Sequence, residues 1–166
     1  MHALNLLLPL FFAAVTLSPA PISPDHPADP ELDAAYAEMS RTVQEGDFEG
    51  YSALYHPDAV LVNKLSGESY PIASALAGWK PGFDATRNGQ MKASVEFRIT
   101  QRLADATTAH DTGIFRYVSQ SGTAEPQVAL IHLESLFVKK DGAWLMVMEY
   151  QKSVATEAEW EAASAD

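Results

Sequence analysis

The sequence contains no cysteine. That excludes disulfides, thiol nucleophiles, cysteine-held metal and a lipid anchor carried on an N-terminal cysteine. Positive charge is scarce. Lys and Arg number 11 against 22 Asp and Glu, for a formal net charge of −11. Phosphates need basic side chains to neutralise them, so no nucleic-acid partner is expected. The P-loop, the dinucleotide fingerprint, the Gly-x-Ser-x-Gly elbow and the helical His-Glu-x-x-His pattern are all missing. No cofactor is expected. The one long apolar stretch, Ala3 to Leu17, is interrupted by Asn5, Pro9 and Thr16 and is too short to span a bilayer comfortably.

What is present is a chain of 166 residues, 47% apolar, enough for one domain with a proper core. Residues 1–20 read as an export signal, with Ser18 and Ala20 spaced for cleavage after Ala20. The protein is therefore expected to be exported, periplasmic or secreted in a bacterium. The n-region has no Lys or Arg, and an uncleaved anchor is the alternative. Residues 21–28 read as a Pro-rich spacer, 29–153 as the folded domain and 154–166 as an acidic tail, frayed or disordered.

Asp29 is a good N-cap, Pro30 suits the first helical turn, and Leu32, Tyr36, Met39 and Val43 recur at helical spacing. Gly46 ends that helix and Asp47 caps a short second one, stopped by His56-Pro57-Asp58. Ala59 to Asn63 reads as a strand, "LSGESYP" as a turn, and Ile72 to Gly78 as a third short helix before a Pro- and Gly-rich loop to Gly89. From Met91 the period changes to two. Four long antiparallel strands follow, the last two forming a hairpin around Asp141-Gly142. Helices segregated to one side of such a sheet make an α+β domain, and a strongly curved sheet leaves a pocket at its open end.

"EGDFEGYSALYHPDAVLVN" and "FVKKDGAWLMVMEY" resemble the opening and the closing hairpin of the nuclear-transport-factor-2-like superfamily, which includes SnoaL-like and ketosteroid-isomerase-like proteins. The resemblance covers Asp29 to Ser153. It implies a cone-shaped, curved antiparallel sheet wrapped around N-terminal helices and enclosing a pocket. It also implies a homodimer formed through the convex sheet face. The superfamily holds isomerases, cyclases and dehydratases, and also binding domains without chemistry, so fold alone does not give function. Aligned with ketosteroid isomerases, the general-base aspartate falls on Asn63, the oxyanion tyrosine near Ser40, and the second, protonated aspartate on Glu134. Asn63 cannot take up a proton.

Which residues surround Glu134 turns on the Asp141-Gly142 loop. A two-residue loop would oppose Glu134 to Glu149 and His132 to Gln151. A three-residue loop, with Gly142 left-handed, would place Glu134 across from Met148 and His132 across from Tyr150, and would send Glu149 to the other face. The three-residue loop avoids opposed carboxylates and gives Glu134 an apolar wall, and it is the expected register. Glu134 is then the candidate acid or base, with His132 beside it and Tyr150 as hydrogen-bond donor. Asn63, Ser40, Tyr36, Trp144 and Met148 are the expected ligand contacts. For His132, Tyr36, Trp144 and Met148 an ordinary structural role competes. Two histidines and a carboxylate from His110, Asp111, His132 and Glu134 could hold a metal, but such strand spacing arises readily by chance, and no metal is expected. The expected function is binding of a small apolar molecule, with metal-free acid/base chemistry at Glu134 as the alternative.

Overall fold

The computed structural model describes residues 29–163. The export signal and the spacer read from residues 1–28 lie outside the described residues. Helix α1 (Pro30–Glu45) starts where its caps predict: the Asp29 side chain accepts the Glu31 and Leu32 backbone N–H groups at 3.0 and 3.2 Å. Gly46 ends it at φ 69°. A Cβ there would lie 2.5 Å from the Arg87 backbone nitrogen, so only glycine lets the two helix ends meet. Helix α2 (Phe48–Ser52) is capped by Asp47.

Strand β1 (Tyr55–Asn63) begins four residues before the expected Ala59. The segment read as a turn contributes strand β2 (Glu68–Pro71), paired antiparallel with β1. Helix α3 (Ile72–Arg87) runs on through Pro81, where a loop was expected. Burial of Ile72, Ala75 and Phe83 outweighs the hydrogen bond that Pro81 cannot donate. The long strands are β3 (Met91–Ala104), β4 (Thr108–Ser121), β5 (Gln127–Lys140) and β6 (Ala143–Val154).

These strands form one curved, unclosed sheet in the order β2-β1-β6-β5-β4-β3, antiparallel except where β1 lies parallel to β6. The α+β architecture is the expected one. Leu32, Tyr36 and Met39 of α1 pack with Phe137, Trp144 and Met146 of the sheet's inner face. No helix among the described residues is long and apolar enough to cross a membrane.

The supposed tail holds a further helix, α4 (Glu157–Ala162), on the outer face. Thr156 and Glu159 form a capping box that starts it. Trp160 is buried with Ile114 and Leu130, and the Arg98 guanidinium lies 4.0 Å from its ring centre. A single buried tryptophan thus anchors a segment whose composition suggested disorder.

Of the bulges in the sheet, one in β3 and one in β6 decide which side chains enter the interior. In β3, Ile99 pairs with Gly113 and Gln101 with Thr112, leaving Thr100 extra. The side-chain alternation slips by one, and Arg102 turns inward opposite Asp111. Both are buried, joined by two hydrogen bonds of 2.9 and 3.0 Å, and Arg102 also donates to Asp33 at 2.9 Å. Gly113 permits this bulge, since a Cβ there would sit 2.3 Å from the Arg98 carbonyl oxygen.

The hairpin turn overturns the expected register, and the second bulge shifts it again. Lys140 pairs with Ala143 across a two-residue turn, with Asp141 at φ 52° and Gly142 at φ 83°. Both left-handed residues are what a type I′ turn requires, and its twist matches the strands. The three-residue loop is therefore not formed. Yet Glu134 does not meet Glu149. Phe137 pairs with Met146 and Leu136 with Met148, so Val147 is extra, and Glu134 falls opposite Tyr150. Trp144 and Met146 face inward before the bulge; Glu149 and Gln151 face inward after it.

Candidate functional site

A cavity of about 510 Å³ lies between the helices and the inner face of the sheet. Met39 and Val43 of α1, Tyr51 of α2, and Trp79 and Phe83 of α3 form its helical side. Val95, Phe97, Phe115, Tyr117, Ile131 and Leu133 form its sheet side. Against this apolar wall Tyr55, Glu149 and Gln151 make one polar cluster. A mostly apolar cleft with a few convergent polar groups is the usual form of a small-molecule site.

The cluster is built by β1 and β6. Tyr55 opens β1 as the parallel partner of Met146, and the Met146 N–H donates to the Leu54 carbonyl at 2.9 Å. The bulge at Val147 then aims Glu149 at Tyr55. The Tyr55 hydroxyl donates to Glu149 Oε2 at 2.6 Å, and Gln151 Nε2 donates to Glu149 Oε1 at 2.7 Å. With its hydrogen directed at Glu149, Tyr55 is left to accept from the Tyr51 hydroxyl 3.1 Å away. The result is a chain from Tyr51 through Tyr55 to Glu149.

Glu149 is buried, and burial pushes its carboxyl above the ordinary range, although the Tyr55 and Gln151 hydrogen bonds pull the other way. Burial, then the Glu149 charge, pushes the Tyr55 hydroxyl well up, so Tyr55 stays a donor. Tyr51 is raised for the same two reasons. The carboxyl is thus poised to exchange a proton or meet a ligand donor, and the phenols are fixed as neutral groups.

The residues singled out from the sequence lie elsewhere. Glu134, His132, Tyr150 and Met148 are on the outer face, away from the cavity. Glu134 accepts from Lys152 at 2.5 Å and lies 3.5 Å from His110 Nε2. The Lys152 hydrogen bond, against a smaller desolvation cost, holds this carboxyl below its ordinary range. His132 Nε2 lies 3.4 Å from Glu159 of α4.

Tyr36 is a core residue whose hydroxyl is 2.6 Å from Ser135 Oγ. Ser40 donates back to the Tyr36 carbonyl within α1, and Asn63 accepts the Ser66 N–H in the turn after β1. Trp144 is buried in the core with its indole nitrogen unpartnered. None of these eight residues lines the cavity. Asp111 faces inward while His110 faces outward, which separates the residues considered for a metal. Among the described residues no group of three or more His, Asp or Glu side chains is placed to hold one.

Sequence reasoning missed Tyr55, Tyr51 and Glu149 as a unit. The period-two pattern of β6 gave no sign of Val147 as a bulge, and Tyr55 was read as the end of α2.

The SnoaL-like domain family matches residues 32–157, most of the chain and nearly all of the described fold. The chain belongs to the SnoaL-like family. Solved structures similar to this SnoaL-like domain are distant in sequence. A nuclear transport factor 2 superfamily protein from Salmonella enterica is 10% identical, with 77% of this chain and 92% of that one covered and a TM-score of 0.57. A ketosteroid isomerase-like protein from Erwinia carotovora is 15% identical, covering 76% and 96%, with a TM-score of 0.56. A protein from Planctomyces limnophilus is 11% identical, covering 76% and 94%, with a TM-score of 0.64. At such identities the likeness is one of fold. A search of the curated proteins finds no match to this sequence.

Proposed function

We infer that this chain is an exported domain that binds a small, mostly apolar molecule in the inner cavity, with Glu149 as its polar anchor. The observation that carries this reading is the buried Glu149 carboxyl, held by Tyr55 at 2.6 Å on the wall of an otherwise apolar cavity. The neutral dye Nile red, at a size that such a cavity admits, tests it by fluorescence. Nile red is expected to bind the protein at one site and to lose that site in Ala129→Phe, which fills the cavity from β5. Equal binding to both proteins would show that the dye, and with it the cavity reading, has nothing to do with this wall.

Export rests on residues 1–20, and N-terminal sequencing of the mature protein is expected to begin at Pro21. Pairing into a homodimer through the outer face is supported by exposed Val128 and Leu136 there, and light scattering of the purified protein checks it.

A second reading is proton transfer by Glu149 on a bound carbonyl compound. The elevated carboxyl favours it, because a general acid or base works best when its pKa approaches the working pH. The check is exchange of the α-protons of a cyclic ketone in deuterated water, expected to be catalysed by the protein and lost in Glu149→Gln.

A further inference from the structure

Three acidic or basic side chains are buried among the described residues: Arg102, Asp111 and Glu149. Arg102 and Asp111 neutralise each other. Glu149 has no such partner. Its two hydrogen bonds come from Tyr55 and Gln151, which carry no charge, and it makes no ion pair among the described residues. Nor does any Lys, Arg or His line the cavity. A buried carboxylate without a countercharge is costly, and two things relieve it: a proton, or a cation brought by the ligand.

The rest of the wall suits a cation. Tyr51, Trp79, Phe97, Phe115 and Tyr117 surround the same space as Glu149. Tyr51 and Trp79 stand edge to face with ring centres 6.1 Å apart, and Phe97 and Phe115 are tilted at 6.3 Å. The face of an aromatic ring attracts an ammonium group, and desolvation strengthens the attraction. The chain's net charge of −11 draws cations towards the protein and repels anions. An anionic ligand would meet Glu149 with nothing in the wall to offset it.

Building on the cavity reading above, we propose that the ligand is a lipophilic amine. Its ammonium N–H faces the Glu149 carboxylate, and its apolar part lies among the aromatic rings. Tyr55 and Gln151 hold the carboxylate in place and leave it free to accept from the ligand. A neutral alcohol or ketone, which would bond to protonated Glu149, is the rival.

Two probes of the same shape separate these. Dimethylbenzylamine is a cation at neutral pH; isobutylbenzene replaces its nitrogen with carbon. Each is titrated against the Nile red complex of the full chain, and of Glu149→Gln and Tyr55→Phe. The amine is expected to displace the dye at least about tenfold more tightly than isobutylbenzene, as a charge-assisted hydrogen bond in a dry site warrants. In Glu149→Gln that difference is expected to vanish while isobutylbenzene is unchanged. Tyr55→Phe, which keeps the carboxylate but removes one of its two anchoring donors, is expected to reduce the preference for the amine without abolishing it.

Equal displacement by both probes, or an amine preference that survives Glu149→Gln, overturns the amine assignment and leaves the cavity reading standing. Failure of the dye and of both probes to bind overturns the cavity reading, and the amine assignment with it.

Discussion

The Tyr55 hydroxyl donates to the Glu149 carboxylate across 2.6 Å, although the two residues are 94 positions apart in the chain. The contact joins the start of β1 to the middle of β6 and exists only because Val147 is an unpaired bulge residue. Burial lifts the folded-state pKa of Glu149 above its unfolded value. Its contribution to stability is therefore fully present below the unfolded value and is lost as pH rises through the folded one. Glu149→Gln keeps the shape and removes the charge. At neutral pH the variant is expected to melt a few degrees above the parent, with the gain shrinking as the pH falls from the folded value to the unfolded glutamate value and absent below it. Thermal melts across that range check it. A lower melting temperature at neutral pH contradicts it.

The bulge in β3 depends on Gly113. A methyl group there would press on the Arg98 carbonyl, which is backbone and has no rotamer to yield. Gly113→Ala is expected to lose roughly 1–3 kcal/mol of stability, the usual scale of overpacking, with the upper end favoured by the rigid neighbour. Urea unfolding measures this.

Breaking the Arg102–Asp111 pair leaves the buried Arg102 with the half-exposed Asp33 as its one remaining countercharge. Asp111→Asn is expected to cost about 3–5 kcal/mol. Replacing both partners, by Arg102→Met with Asp111→Leu, is expected to recover much of that loss, because no charge then remains inside. A double-mutant cycle by denaturant unfolding gives the coupling.

Helix α4 has one large buried side chain, Trp160. Trp160→Ala is expected to release this helix at a cost of about 3 kcal/mol, and to leave the cavity intact on the far side of the sheet. Hydrogen exchange should then speed at the Trp160 and Ala163 amides, which bond to Thr156 and Glu159, while the amides of β5 and β6 near Glu149 stay protected.

Much of the fold was legible before the structure. Asp29, Gly46 and Asp47 punctuate the first two helices as their chemistry predicts, and the alternation from Met91 marks the sheet. Alternation fixes faces only while a strand is regular, however. One extra residue at Val147 exchanged Met148 and Tyr150 for Glu149 and Gln151 on the inner face, and the two-residue turn had already put Glu134 on the outer one. Neither register weighed for the hairpin allowed a tight turn followed by a bulge. Pro81 misled in the opposite sense: local propensity argued for a loop, and the buried face of α3 overrode it. Thr156 and Trp160 show how a capping box and one aromatic order a segment whose average composition is that of a tail. Glu134 drew attention as a carboxylate within a strand, but Lys152 neutralises it, and that partner became visible only when the register was known.

Glu149, and not Glu134, is the carboxyl that burial perturbs at the cavity wall. Carbon NMR titration of the side-chain carboxyls reports both residues in one sample. Glu149 is expected to titrate above the ordinary glutamate value and Glu134 below it, with the cavity probes shifting the Glu149 signal alone. An ordinary or lowered Glu149, or a Glu134 signal that responds to the probes in its place, would contradict it.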